Sequence, residues 1–121
     1  MVWLSVAIGG ALGTIARHGV NILFSRLLRP DPYATAMVNL VGSLAIGVLA
    51  GLIAAGRLHL SHEARTVVFV GILGGFTTFS TLMLDTFTLV EGGRTSAAVI
   101  NILVQVVVGY AAVYLGFRLA A

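Results

Sequence analysis

The sequence predicts an all-α membrane protein, in which one domain contains four transmembrane helices and the third helix is broken. Of the 121 residues, 59% are hydrophobic and only 9% are charged, whereas soluble domains carry about 25% charged residues. The apolar residues fall into four runs, each close to the roughly 20 residues that a helix needs to cross a bilayer. Because this pattern recurs along the whole chain, a cleaved signal peptide ahead of a soluble domain is not expected.

The four spans are predicted at residues 2–24, 34–56, 66–90 and 95–117 of a single domain covering residues 1–121. Short links separate them, and the first link holds Pro30 and Pro32. Links this short require successive spans to run in opposite directions.

Glycines four residues apart occur in three of the spans. This spacing lets helix backbones approach closely in lipid, and close packing is a sufficient explanation for it. The pairs are Gly9 and Gly13, Gly47 and Gly51, and Gly71 and Gly75.

Arg17 is a charged residue inside the first span. A buried arginine is costly in a membrane unless it reaches the interface or finds partners. Two interpretations remain open: the side chain extends to the interface, or it is a fixed positive charge that attracts anions into a water-filled vestibule.

Asn39 lies early in the second span, with Ser43 one turn further on. A membrane asparagine commonly bonds a neighbouring helix. Its amide N–H groups are also able to donate to an anion. Structural bonding and a place on a pore wall are therefore both open for Asn39.

The third span contains a segment that is a poor continuous helix. Glycine lowers helix stability by about 1 kcal/mol relative to alanine, and hydroxyl side chains compete for backbone hydrogen bonds. Irregular backbone inside a membrane is tolerated only where protein buries it or water reaches it. We therefore expect a functional interruption within residues 71–82, whose glycines and hydroxyl residues are Gly71, Gly74, Gly75, Thr77, Thr78, Ser80 and Thr81.

The fourth span carries Asn101 and Gln105 at a spacing of four residues, with Gly109 continuing the same face. This polar track either lines a pore or forms hydrogen bonds between helices.

In the third span, Asp85 follows one turn after Thr81. It is interpreted as a proton site, a cation ligand or, by slight preference, a hydrogen-bond acceptor between helices.

The polar groups of the spans are mostly hydrogen-bond donors: hydroxyls, amides and an arginine, with phenylalanine ring edges that carry partial positive charge. Such donors replace the hydration shell of a small anion, and backbone carbonyls released at a helix break hold a monovalent cation.

The arginines are balanced between the two sides of the predicted topology, three against three, which leaves orientation undetermined. Two interpretations remain open: the chain inserts both ways and can form an antiparallel two-fold dimer, or a few residues of error in the predicted span edges hide a real charge bias. The two groups of arginines are Arg57, Arg65 and Arg118 on one side, and Arg26, Arg29 and Arg94 on the other.

The arginines do not form a basic stripe, so nucleic-acid binding is not expected.

Three segments resemble the small bacterial fluoride channels of the Fluc or CrcB family, and the similarity covers all four spans. They are residues 9–13 leading to Arg17, the segment 38–42 around Asn39, and the run GGFTTFST at residues 74–81. The resemblance implies passive fluoride export across the bacterial inner membrane, which protects the cell from fluoride toxicity. It also implies a dual-topology antiparallel homodimer with a central structural sodium ion.

The resemblance assigns roles to individual residues. Gly74 and Thr77 would give backbone carbonyls to sodium, Asn39 would be the pore asparagine, and Arg17 the vestibule arginine. Phe79 would contact fluoride through its ring edge, followed along the pathway by Thr81, Leu82, Asn101 and Gln105.

This chain departs from the family pattern at three places. Leu82 stands where a second phenylalanine is usual, Asp85 where glutamate is common, and amides at Asn101 and Gln105 where hydroxyl residues are usual. The first departure places the ring contacts in question, because leucine has no ring edge.

The alternative function is a proton-coupled exporter of the small multidrug resistance type, which shares the length and the four spans. Its mechanism needs a carboxylate in the first span, and this chain has none there. An enzyme is not expected, because the sequence has no nucleophile–base pair and no metal-ligand spacing.

Overall fold

The computed structural model describes residues 1–27 and 32–121, and only the backbone of Pro32. All regular secondary structure in this described part is helical. The helices are α1 (Val2–Leu27), α2 (Pro32–Ala54), α3 (residues 62–76), α4 (Phe79–Glu91) and α5 (Thr95–Ala120). Helix α3 contains the π-helical segment Thr66–Leu73, and α5 contains a second one, Val104–Val108.

The helix ends differ from the predicted spans by a few residues. Helix α1 continues to Leu27, and α2 already begins at Pro32. Proline is well suited to the first position of a helix, because its fixed φ is helical and the missing N–H would have no helical partner there. Pro32 was expected in the link, and this preference explains the difference. Arg29, Pro30 and Asp31 lie outside the described residues.

Three helical stretches are long and apolar enough to cross a membrane: Tyr33–Ala54, His62–Glu91 and Thr95–Ala120. Helix α1 has 26 residues, which is sufficient length for a span, but it is not among these three. Its glycines, Arg17 and His18 make it less apolar than the others. The length and apolar character of these helices show that the chain is a multi-pass membrane protein.

Helices α1 and α3 form a closely packed parallel pair. A Cβ atom on Gly13 would lie 2.0 Å from the Ile72 carbonyl oxygen, and one on Gly75 would lie 2.6 Å from the Gly10 carbonyl oxygen. These distances leave no room for a side chain, so the two backbones are in direct contact.

Helices α2 and α5 form a second parallel pair of the same kind. A Cβ atom on Gly47 would lie 2.2 Å from the Val113 carbonyl oxygen, and one on Gly51 would lie 2.5 Å from the Phe117 carbonyl oxygen. Gly116 of α5 contacts the backbone of α2 in turn, at Leu44 and Val48. The close packing predicted from glycine spacing is therefore confirmed for all three predicted pairs.

Candidate functional site

The third membrane-spanning segment is interrupted between α3, which ends at Phe76, and α4, which begins at Phe79. Thr77 (φ −83°, ψ 159°) and Thr78 (φ −154°, ψ 121°) are both extended. The sequence prediction of a break within residues 71–82 is confirmed. The break lies in the middle of an apolar stretch, where its backbone groups need partners from the protein.

Two threonine hydroxyls cap the helix ends at the break. Thr77 donates both its backbone N–H (2.9 Å) and its hydroxyl (3.0 Å) to the Leu73 carbonyl, which closes α3. Thr78 Oγ1 accepts the Thr81 backbone N–H at 3.3 Å, as the N-cap of α4. The same Thr78 hydroxyl donates to Thr81 Oγ1 at 3.0 Å. Side-chain capping of this kind satisfies the first amides of a helix.

Asn39 of α2 satisfies the extended backbone at Thr78. The Thr78 N–H donates to Asn39 Oδ1 at 2.9 Å, and Asn39 Nδ2 donates to the Thr78 carbonyl at 3.0 Å. Because a backbone N–H only donates and a carbonyl only accepts, this pairing fixes which end of the Asn39 amide is the oxygen.

A chain of side-chain hydrogen bonds continues from Asn39 into α5. Asn39 Nδ2 donates to Gln105 Oε1 at 2.7 Å, and Gln105 Nε2 donates to Asn101 Oδ1 at 2.9 Å. Both α5 amides are buried, with Asn101 9% and Gln105 7% exposed. The polar track predicted on α5 is therefore used for bonding between helices and within α5.

This series of hydrogen bonds ends on α4. Asn101 Nδ2 donates to Thr86 Oγ1 at 3.1 Å, and the Thr86 hydroxyl donates to the Leu82 carbonyl at 2.7 Å. We call this series the amide relay; its members are Thr78, Asn39, Gln105, Asn101, Thr86 and Leu82. Backbone groups define both of its ends, so the donor–acceptor direction of every amide in it is fixed.

An open groove of about 340 Å³ lies beside the break. Four of the seven residues predicted on an anion pathway line it: Asn39, Phe79, Leu82 and Gln105. Gly42 allows α2 to approach, because a Cβ atom there would lie 2.1 Å from Thr77 Cγ2. The remaining lining residues are Ser43, Ile46, Thr77, Thr78, Val106 and Val113.

The other three predicted pathway residues do not line this groove. Thr81 is half-buried and engaged with Thr78. Asn101 contributes instead to a separate cavity of about 250 Å³, whose lining includes Tyr33 and Arg94. The amide relay connects this cavity to the groove through the hydrogen bond between Asn101 and Gln105.

Arg17 is half-buried in α1 and lies beside the break. Its Nη1 donates to the Thr77 carbonyl at 3.4 Å. The positive charge thus lies next to the interrupted backbone, a position that sequence reasoning did not assign to it.

The oxygen atoms predicted to hold sodium lie at the end of α3. In a continuous helix the Thr78 N–H would bond the Gly74 carbonyl, but it donates to Asn39 here. Gly74 is exposed, and Thr77 is half-buried. Backbone carbonyls at an interrupted helix are a donor set that suits a hard monovalent cation, so these residues fit the ion.

Two residues of this site had no role in the sequence analysis. Thr86 closes the amide relay. The sequence feature that could have revealed it is its position four residues after Leu82, a spacing at which a threonine hydroxyl bonds a backbone carbonyl of its own helix. Ser43 lines the groove one turn after Asn39, and its spacing already placed it on the same face of α2.

These features define a class of protein: a helical membrane protein with a broken span whose polar backbone is held by a half-buried side-chain amide, beside a groove within the apolar region. A family model described as "CrcB-like protein, Camphor Resistance (CrcB)" matches residues 4–117. The chain belongs to the CrcB family.

Several relatives are similar to this chain over nearly their whole length. Fluoride-specific ion channel FluC of Paracoccus denitrificans is 50% identical over 115 residues, which are 94% of this chain and 90% of that protein. Fluoride-specific ion channel FluC 1 of Nitrobacter hamburgensis is 45% identical over 117 residues, 96% of this chain and 92% of that protein. FluC of Hyphomonas neptunium is 42% identical over 119 residues, 98% and 94% of the two chains. The resemblance stated from the motifs is confirmed.

Proposed function

We propose that this protein is a fluoride-selective ion channel of the bacterial inner membrane, which lets cytoplasmic fluoride leave passively and so protects the cell. The observation that carries this function is the groove at a helix break inside an apolar span, lined by the polar side chains of Asn39, Ser43 and Gln105, in a chain up to 50% identical to proteins named as fluoride-specific channels. It is a channel and not an enzyme.

The conducting unit is an antiparallel homodimer in which each chain crosses the membrane four times. Support comes from the open side of the groove and from Phe79, which is 73% exposed although it lies at the centre of an apolar segment. Gly74 is exposed too, and a Cβ atom on it would meet nothing closer than 3.6 Å. A second copy placed against this face would enclose the groove and cover both residues.

The anion pathway follows the groove and the amide relay. Asn39, Phe79, Leu82 and Gln105 form its central wall, with Asn101 and Thr81 beside it. Fluoride leaving water needs its hydration replaced by donors and ring edges. Arg17 supplies a fixed positive charge next to the break, which offsets the electrostatic cost of moving an anion to this depth.

A structural sodium ion between the two copies would be held by the carbonyls of Gly74 and Thr77 from each chain. The ion would offset the partial negative charge of these four carbonyl oxygens. Arg17 already donates to the Thr77 carbonyl, and that oxygen retains a second lone pair for the ion.

The test is fluoride efflux from liposomes that contain the purified protein, followed with a fluoride-sensitive electrode. We expect release driven by the fluoride gradient, with chloride retained and no dependence on a pH gradient. Efflux that requires a proton gradient would instead support the multidrug-type exporter. No residue among 1–27 is acidic, so the first span lacks the carboxylate which that exporter needs.

Asn39→Asp is expected to reduce fluoride flux at least about tenfold. A carboxylate cannot donate to the Thr78 carbonyl or to Gln105, and leaving a buried acceptor unsatisfied costs about 1–3 kcal/mol. Flux per reconstituted dimer measures the effect, with circular dichroism to verify helix content. Flux equal to that of the unmodified protein would remove Asn39 from the pathway.

A further inference from the structure

Most of the polar hydrogens along the groove are already bonded to protein acceptors. Asn39 Nδ2 has two hydrogens, which it gives to the Thr78 carbonyl and to Gln105 Oε1. The Thr78 N–H is given to Asn39 Oδ1. The Asn39 amide thus has no hydrogen left for an anion in this conformation.

The two groove threonines are committed in the same way. The Thr77 hydroxyl donates to the Leu73 carbonyl at 3.0 Å, and the Thr78 hydroxyl donates to Thr81 Oγ1 at 3.0 Å. Neither hydroxyl offers a hydrogen to the groove without breaking the hydrogen bond that it donates here. Donors for an anion must come from other lining residues.

Gln105 keeps one donor. Its Nε2 carries two hydrogens, and the amide relay uses one of them, in the bond to Asn101 Oδ1. Because Asn39 donates into Oε1, the Gln105 amide cannot turn over without breaking that bond. The second N–H of Gln105 is therefore held in one orientation on the wall of the groove.

Ser43 keeps its hydroxyl hydrogen. This half-buried side chain lines the groove, and its Oγ makes no hydrogen bond to any residue in the described ranges 1–27 and 32–121. A Cβ atom on Gly109 would lie 3.5 Å from Ser43 Oγ. Ser43 thus faces α5 one turn beyond the contact between Asn39 and Gln105.

We propose that Ser43 Oγ and Gln105 Nε2 are the donors that contact the anion in this groove, and that Asn39 is a positioning residue that orients Gln105. This inference rests on the proposed function. It changes the role that the motif alone suggests for Asn39, from an anion ligand to the group that fixes the break and the direction of the amide relay.

The first experiment compares fluoride flux of Ser43→Ala with the matched control Ser96→Ala, which removes an exposed hydroxyl at the start of α5. Ser43 Oγ has no hydrogen-bond partner among the residues that the structure describes, so alanine leaves none of their polar groups unsatisfied and the variant is expected to fold. Loss of one donor to a charged ligand is expected to raise the half-saturating fluoride concentration about tenfold. The control is expected to stay within about twofold of the unmodified protein.

The second experiment distinguishes a ligand from a positioning residue without a flux measurement. Side-chain amide ¹⁵N resonances of the reconstituted protein are followed during titration with sodium fluoride, with sodium chloride at equal ionic strength as the control. The Gln105 signal, assigned through its absence in Gln105→Glu, is expected to shift with fluoride. The Asn39 signal, assigned through Asn39→Asp, is expected to shift much less.

Unchanged half-saturation in Ser43→Ala would overturn the inference while the proposed function stands. A fluoride shift at Asn39 that equals or exceeds the shift at Gln105 would overturn it as well. Unmodified protein that releases no fluoride from liposomes would overturn the proposed function and this inference together.

Discussion

Asn39 occupies a position that no other side chain type fills equally well. It presents one acceptor and two donors, and the structure bonds all three, at 2.9, 3.0 and 2.7 Å. An unpaired backbone amide or carbonyl in an apolar environment costs several kcal/mol. A carboxamide of this length pairs with both extended backbone groups of Thr78 and still has a hydrogen for Gln105.

Thr78 is the N-cap of α4, and its contribution to stability is directly testable. Thr78→Ala removes the acceptor for the Thr81 N–H, and is expected to lower the free energy of unfolding by about 1 kcal/mol. Thermal or denaturant unfolding in detergent measures this loss. Thr78→Ser retains the hydroxyl and is the matched control. Equal stability of the two variants would contradict the capping role.

At the scale of helices, the molecule contains two glycine-packed parallel pairs, α1 with α3 and α2 with α5, and α4 is joined to α5 by the hydrogen bond between Thr86 and Asn101. Membrane helices do not gain hydrophobic free energy from packing on each other, so close backbone contact and hydrogen bonds hold them together. The pairs meet where Asn39 bonds Thr78 and where Gly42 lies against Thr77. The helix break is therefore fixed by the contact between the two pairs.

Two glycines of α1 offer a direct test of this packing. Gly13→Ala would place a Cβ atom 2.0 Å from the Ile72 carbonyl oxygen, and we expect a loss of about 3 kcal/mol or more in the free energy of unfolding. Gly19 has nothing within 4 Å of the corresponding position. Gly19→Ala is expected to stabilise α1 by about 1 kcal/mol. Unfolding of both variants in the same detergent measures the contrast, and similar stabilities would refute the packing.

The described part of the chain presents a largely apolar exterior. Large hydrophobic side chains are widely exposed, and among the large side chains of the described residues Val38 is the one that is completely buried. Such a surface is suited to lipid or to another apolar chain. The polar groove opens onto this exterior, and a second copy is the partner that the proposed channel requires to enclose it.

Orientation in the membrane is expected to be mixed. The six arginines outside the predicted spans divide three against three between the two sides of the predicted topology. Arg57 lies near the end of α5, with Nη1 3.5 Å from the Ala120 carbonyl oxygen. A reporter of membrane side fused to the C-terminus is expected to show comparable populations on both sides. A double variant, His59→Arg with Ser61→Arg, adds two positive charges to one side and is expected to shift the population toward cytoplasmic placement of that side. A single orientation in the unmodified chain would contradict dual topology.

The sequence by itself determined the helical class, three of the apolar spans, the glycine contacts and the break near Thr77 and Thr78. These follow from local composition and spacing, since hydropathy, the absence of a glycine side chain and competition by hydroxyl groups act within a few residues. The motif near the break also indicated the family.

The tertiary structure alone decided how the polar side chains are shared. Whether Asn39 bonds an anion or the protein depends on where Thr78 and Gln105 lie, 39 and 66 residues away. Likewise, Arg17 is placed beside Thr77 because α1 packs on α3, not because of its neighbours in sequence. The direction of each hydrogen bond depends on how the helices lie relative to one another. The spacing of residues along a single helix does not determine that arrangement.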